Sequence, residues 1–345
     1  MVQPRVTITS IAREAGVSVS TVSKVLNGRA DVAAGTRSRV EELLDKHAYP
    51  RAGRRGADPA GLVDLVFGEL DSPWAVEIIR GAEEVARAAG LGTVVSAIHP
   101  GSAAGAGADG GGEPARQWLD NLVRRRSEGV VLVLEELAPG QLARLESLDV
   151  PYVVIDPRGE PDPRIPSIGA ANWAGGMAAT RHLAELGHRR IAIISGPAGL
   201  LCSRARLDGH RGALESAGLP ADPDLVRYGD FHHESGYVQA GLLLDLPDPP
   251  TAIFAGSDQQ AYGACEAARE RGLRIPQDLS IVGFDDLSVS RWFSPPLTTV
   301  RQPLAEMGAL AARMLLRMAR GETPETRRVE LATELVVRES TAPPP

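Results

Sequence analysis

Cysteines, histidines, serines and glycine clusters are where a chain could do covalent, metal or phosphate chemistry. Cys202 and Cys265 stand far apart with no paired spacing, which predicts reduced, partly buried thiols and neither a disulfide framework nor a zinc site. His232-His233 resembles a metal-ligand pair, but the segment reads as a strand, on which neighbours point in opposite directions, and no Cys, His or Glu cluster follows. Residues 101–112 are mostly glycine and alanine, yet carry neither Gly-x-Gly-x-x-Gly nor a Walker pattern between strand and helix, so they read as a surface loop. There is no Gly-x-Ser-x-Gly elbow and no His-Glu-x-x-His, and Ser195-Gly196 reads as a cleft-edge turn. The expectation is a protein that is not an enzyme and that uses no metal and no cofactor.

The elements around these residues are of two kinds. Residues 8–47 place apolar side chains at helical spacing in three short blocks. The first has Ile8, Ile11, Ala12 and Ala15 on one face, Thr7 as N-cap and Gly16 as its break. The second has Ser18 as cap, Val22, Val25 and Leu26 inward and Asn27-Gly28 as its stop. The third, 34–47, buries Val40, Leu43 and Leu44. Residues 50–61 are rich in Gly, Pro and Arg without apolar periodicity and read as a linker.

Beyond the linker, strand-like runs at 62–67, 93–97, 129–134, 152–155, 190–194, 251–255 and 279–283 alternate with helical stretches at 75–89, 115–126, 173–186, 203–217 and 260–271. Such alternation predicts parallel sheets covered on both faces, and more strands than one doubly wound sheet needs predict two lobes. Ligands of such folds sit at the carboxyl ends of the strands, so the cleft between lobes is the expected site. The expected domains are therefore 1–49, a linker at 50–61, and a bilobed body at 62–345.

Charge divides along the same line. The chain of 345 residues has a net charge of −7, but residues 1–60 hold ten Lys or Arg against six Asp or Glu, net +4, leaving −11 for the rest. A basic head on an acidic body suits a domain that binds an anionic polymer joined to one that does not. No apolar run is long enough for a membrane helix, and the first residues lack the apolar core of a secretory signal, so a cytoplasmic protein is expected.

The stretch Val6-Thr-Ile-Thr-Ser-Ile-Ala-Arg-Glu-Ala-Gly-Val-Ser-Val-Ser-Thr-Val-Ser-Lys-Val-Leu-Asn-Gly28 closely resembles the DNA-binding head of the lactose-repressor (LacI/GalR) family of transcriptional regulators. The resemblance implies a helix-turn-helix whose second helix enters the major groove N-terminus first. Val19, Ser20 and Lys24 would then meet base edges: Lys24 a guanine, Val19 a thymine methyl. Thr7, Ser18, Thr21, Ser23, Asn27 and Thr36 are of the type that grips phosphates and fixes register. The family's hinge helix usually carries a minor-groove leucine. Here Tyr49-Pro50 is followed by Arg51-Ala-Gly-Arg-Arg-Gly56 without one, so Arg54 and Arg55 either lie in a narrow minor groove or belong to a flexible tether touching phosphates.

The resemblance continues to about Arg338 through Glu69-Leu-Asp-Ser-Pro-Trp74, Asp156, Leu186-Gly-His188, Arg206-Leu-Asp-Gly209, Ser257-Asp-Gln259, Val282-Gly-Phe-Asp-Asp286 and Pro296-Leu-Thr-Thr-Val-Arg-Gln302. It implies a periplasmic-binding-protein-like core with parallel sheets, following a three-helix head. A sugar site needs carboxylates, an Arg or Asn, and an aromatic platform. The matched positions are Arg206 and Asp285 for adjacent hydroxyls, Asp156, Ser257 and Gln302 for the polar ring, Phe231 for stacking, and Asp71, Ser72 and Ala75 on the other lobe. Trp74 and Trp173 are each either a second platform at the cleft mouth or packed in the core or a dimer. Bland alternatives stand beside these: Asp285 and Asp286 as turn caps, Asp71 as the N-cap of the following helix, Arg206 paired with Asp208 on the surface.

Together these readings predict a homodimeric repressor of palindromic operator DNA, controlled allosterically by a small-molecule effector, a sugar, with no membrane partner. The alternatives are the same regulator with a purine or nucleoside effector, and a cytosolic sugar-binding protein without a regulatory role.

Overall fold

Thr7 starts the first helix as the sequence predicts: its Oγ1 accepts the Ser10 N–H at 3.3 Å, and Ser10 Oγ accepts the Thr7 N–H at 2.9 Å. The computed structural model describes residues 7–26, 32–47, 60–98, 113–133, 139–159 and 162–345. Asn27, Arg54, Arg55, most of the expected linker, and residues 101–112 lie outside them. Chain contacts divide the protein into two units: residues 1–60 with 139–150, and residues 61–138 with 151–345.

In the first unit, α1 (Ile8–Ala15) ends at Gly16, whose φ of 67° is the left-handed cap that glycine favours. Helix α2 (Val19–Leu26) begins after Ser18, whose Oγ accepts the Thr21 N–H at 3.1 Å. With α3 (Ala34–Lys46) these helices close over Ile11, Ala12, Ala15, Val22, Val25, Val40 and Leu44, all buried, with Leu43 half-buried. Apart from Leu26, whose side chain lies outside the described residues, that small core is the one the apolar spacing predicts, with Ile8 packed against it.

In the second unit, β1 (Leu62–Phe67), α4 (Pro73–Ala88), β2 (Gly92–Ala97), α5 (Glu113–Arg125) and β3 (Gly129–Val133) come first, before α6 (Pro139–Ser147) of the other unit. Then come β4 (Tyr152–Ile155), β5 (Ser167–Ala170), α7 (Asn172–Glu185), β6 (Ile191–Ser195), α8 (Leu201–Ser216), β7 (Val226–Tyr228), α9 (His233–Leu244) and β8 (Ala252–Ala255). Helix α10 (Asp258–Glu270), β9 (Ser280–Asp285), β10 (Thr298–Arg301), α11 (Leu304–Ala319), β11 (Arg328–Leu331) and β12 (Glu334–Val336) complete it.

Two six-stranded sheets result, in the orders β11-β5-β4-β3-β1-β2 and β12-β10-β9-β8-β6-β7. All their pairings are parallel except β10 with β12. The two predicted lobes are these sheets with their helices. The first core lies between its sheet and α4 and α11, around Leu65, Ile78, Val131 and Leu315; the second sheet has cores on both faces, around Ile253 and Ala264 on one and Phe254 and Phe284 on the other.

Each predicted strand and helix is present, with ends shifted by a residue or a few. The sequence reading misses β5, β7, β10, β11 and β12, which are three or four residues long, and α6, α9 and α11. One expectation is corrected: His232 and His233 are not on a strand, but form the N-cap and first residue of α9.

Candidate functional site

The strands β1, β3, β4, β6, β8 and β9 all run the same way in their sheets, so their carboxyl ends gather at the edges that face across the cleft. A cavity of about 360 Å³ opens there, lined from one lobe by Phe67, Ser72, Trp74, Ala75, Val133 and Asp156, and from the other by Arg206, Phe231, Ser257 and Asp285. Of the ten effector residues expected from the sequence, these include eight.

Three of the eight sit in backbone conformations that side-chain-bearing residues seldom adopt: Asp156 at φ 46°, Phe231 at φ 74° and Asp285 at φ 120°. Such conformations cost on the order of 1–3 kcal/mol each and cluster at ligand sites, where they turn a side chain out of the strand direction. Asp156 follows β4 and Asp285 ends β9, so the sharp turn at each strand end aims a carboxyl at the cleft.

Arg206 stands between these acids. It is 4% exposed, and its Nε donates to Asn172 Oδ1 at 2.8 Å while Nη1 donates to the Gly256 carbonyl at 2.5 Å. Its guanidinium lies 3.8 Å from the ring centroid of Phe284 and 5.3 Å from that of Phe231. Planar and multiply bonded, it is pre-set to offer hydrogen bonds in one plane. The surface pair with Asp208 is excluded, since Asp208 faces Arg211 at 3.4 Å.

Two buried carboxyls share this one cation. Burial pushes Asp156 up to about 6 against the pull of Arg206 and the Ala170 N–H. Burial also pushes Asp285 up, against Arg206 and with the help of Asp258. The cavity floor thus offers a charged fork and two carboxyls held above the usual carboxylate range, a mixture suited to hydroxyls that both give and accept hydrogen bonds.

Gln302 is not at the cavity surface: its Nε2 donates to Asp285 Oδ1 at 2.6 Å and holds that carboxyl from behind. Asp71 is exposed beside the mouth and does not line the cavity. The N-cap of α4 is Ser72, whose Oγ accepts the Trp74 N–H at 3.3 Å. Ser257 caps α10 in the same way and donates its hydroxyl to the Phe231 carbonyl at 2.6 Å. Asp286 is no turn cap, being paired with Arg301 and Arg338. Trp173 on α7 is half exposed and does not line the cavity.

Glu69, Arg158, Cys202, Asp230, His232 and Gln259 also line the cavity, and the sequence reading does not single them out for it. Glu69, Asp230, His232 and Gln259 fall within or beside the quoted motifs, so adjacency could have found them. Arg158 has no such signal. Cys202 is buried, which raises its thiol to about 11 and keeps it protonated.

The head offers a second face. Ser18, Val19, Ser20 and Lys24 are exposed around the start of α2, while Thr21, Ser23 and Thr36 are half-buried. Ser18 Oγ lies 2.7 Å from Ser20 Oγ and 2.8 Å from Thr21 Oγ1, so the hydroxyls form a connected set at a helix N-terminus, where backbone N–H groups favour anions.

Comparison with known proteins places both regions. Residues 7–51 match the bacterial regulatory proteins, lacI family, and residues 180–341 match the periplasmic binding protein-like domain. The HTH-type transcriptional regulator DegA of Bacillus subtilis (strain 168) is 33% identical over 344 residues, covering 98% of this chain and 99% of DegA. A transcriptional regulator CelR–cellobiose complex aligns with TM-score 0.73 at 34% identity, over 97% of this chain and 100% of that one. The lac repressor dimer bound to operator and the anti-inducer ONPF aligns with TM-score 0.70 at 29% identity, over 98% and 100%.

Proposed function

Because the chain belongs to the lacI family of bacterial regulatory proteins, we propose that it is a sequence-specific transcriptional repressor whose operator affinity is set by a sugar held between the two lobes of its body. The observation that carries the effector half is the convergence of Asp156, Arg206 and Asp285 on one cavity with Phe231 beside them. This set pairs hydrogen-bonding groups of both senses with an aromatic face, which is what a polyhydroxylated ring requires. A cavity of about 360 Å³ accommodates a sugar of one or two rings.

The regulator acts as a homodimer in the cytoplasm and catalyses no reaction. One helix-turn-helix contacts too few bases for specificity, and two-fold pairing lets two heads read a palindrome. Val19, Ser20 and Lys24 read bases, with Thr7, Ser18, Thr21, Ser23, Asn27 and Thr36 on phosphates and Arg54 and Arg55 near the minor groove. Control requires that the effector bind one lobe arrangement better than the other, since equal affinity shifts nothing.

The experiment is a thermal-shift screen of the full chain against pentoses, hexoses, disaccharides, sugar phosphates and purines. A ligand at about 100 times its dissociation constant adds about 2.7 kcal/mol. A sugar hit abolished by Arg206→Ala supports the reading; a purine hit with silence from all sugars overturns its effector half.

A further inference from the structure

At the mouth of the cavity two side-chain hydrogen bonds join the lobes, beside a backbone one from the Leu201 N–H to the Arg158 carbonyl at 3.2 Å. His232 Nε2 lies 3.0 Å from Glu69 Oε1, and Gln259 Nε2 donates to Ser72 Oγ at 3.0 Å. Glu69 and Ser72 belong to the segment between β1 and α4 of the first lobe; His232 and Gln259 cap or begin helices of the second. All four line the cavity.

The charges around His232 come from both lobes. Glu69 and Asp71 face it from the first, with one oxygen of each within 4.8 Å of a ring nitrogen and of one another. From its own lobe, Asp230 accepts the His232 backbone N–H at 2.9 Å. His233 does not share the cluster and pairs with Glu266 at 3.0 Å. The cations lining the same cavity are Arg158 and Arg206. Partial burial opposes a charge on the His232 ring, but Glu69, Asp230 and Asp71 together outweigh it and hold its pKa above the usual 6.5.

We propose that Glu69 and His232 form a proton-dependent clasp across the cleft mouth, which closes the lobes at mildly acid pH and loosens as the imidazole loses its proton. The proposal rests on the effector reading of the cleft for its consequence, tighter effector retention at lower pH, but the clasp itself is defined without an effector. The sign follows from the attraction of the charged ring to Glu69 in the closed arrangement. Closure stabilised by that ring is fully present below the open-state pKa and is lost as pH rises through the higher closed-state value. Because Glu69 and His232 keep 56% and 27% of their side-chain surface, the pair is partly screened, and its effect on the closed population is about two- to fivefold.

Asp156 and Asp285 also titrate above the usual carboxylate range, so pH dependence alone would not identify the clasp. Glu69→Gln removes the ion pair at an exposed position and leaves both acids in place.

The test uses the full chain in EDTA, carrying nitrogen-labelled histidine, with His232→Gln to assign its resonance among the seven histidines. In parallel, spin labels at Arg87→Cys and Glu215→Cys, on exposed helical positions of opposite lobes, report the lobe distance; the native Cys202 and Cys265 are buried. The expected result is a His232 pKa above that of free histidine which falls in Glu69→Gln, together with a lobe distance that lengthens from about pH 5.5 to about pH 8 in the native chain and not in the variant. An unchanged His232 pKa in Glu69→Gln, or the same distance change in both proteins, overturns the clasp. A sugar hit in the thermal screen would survive that result, and a working clasp would survive the absence of a hit.

Discussion

The Arg206 guanidinium lies 3.8 Å from the ring centroid of Phe284 while its Nε donates to Asn172 Oδ1 at 2.8 Å, so stacking and a hydrogen bond fix it at once. A lysine cannot reproduce that geometry, because its ammonium is a point charge without a planar fork. Arg206→Lys should therefore weaken effector binding at least about tenfold even though charge is retained, as read by calorimetry with the thermal-screen hit. Binding within about twofold of native would place recognition elsewhere.

The raised pKa of Asp285 makes stability depend on pH. Its folded-state value lies above the ordinary carboxylate value of about 3.9, so the folded chain holds a proton that the unfolded chain releases. That contribution is complete below the unfolded pKa and is lost as pH rises through the folded one. The melting temperature should fall from mildly acid to mildly alkaline pH, and Asp285→Asn should flatten that slope. A variant with the native slope would show that Asp285 is not its source.

Phe231 approaches the backbone where a side chain would block it. A Cβ built on Gly196 would overlap the Phe231 ring, so Gly196→Ala must displace the aromatic platform. Effector binding should be lost, with a stability cost of about 1–3 kcal/mol from overpacking. Operator binding without effector should stay near native in a gel-shift titration, because the head is untouched.

In the first lobe, Asp64 is fully buried on β1, with Arg125 Nη2 donating to its Oδ1 at 2.5 Å and Ser127 Oγ to its Oδ2. Removing Asp64 leaves Arg125, whose side chain is 28% exposed and can regain water, so the loss is about 1–3 kcal/mol. Asp64→Ala should lower the urea midpoint accordingly. A shift under about 0.5 kcal/mol would mean the pair is solvated in solution.

At the head, Lys24→Ala should weaken specific DNA binding by about 1–3 kcal/mol if it reads a guanine, with little change on random DNA. Equal loss on every sequence would make it a phosphate contact.

Much of this arrangement is legible in the sequence because it is periodic or punctuated. Thr7, Gly16 and Ser18 mark helix ends through local hydrogen bonding, and β-branched runs such as the one at 129–133 mark buried parallel strands. The missed strands are too short for alternation to register: β5 and β10 have four residues and β7 and β12 three. Helix α9 is hidden because His232-His233 reads as strand; its cap makes no side-chain hydrogen bond to announce it. In the cleft, Asp156, Phe231 and Asp285 stand at recognisable motif positions, but their positive φ values are tertiary constraints that no local pattern records. Nor could spacing reveal that Gln302 stands behind Asp285, or that Glu69 meets His232 across 163 residues of chain.

Effector binding between the lobes should change operator affinity. The most direct measurement is selection of bound DNA from a random pool by the full chain, followed by titration of the selected sequence with and without the sugar found by thermal shift. The expected result is a palindromic consensus and an operator affinity that changes about tenfold to a hundredfold with sugar, a coupling of about 1–3 kcal/mol, and not at all in Arg206→Ala. Equal operator affinity with and without a saturating sugar would contradict it.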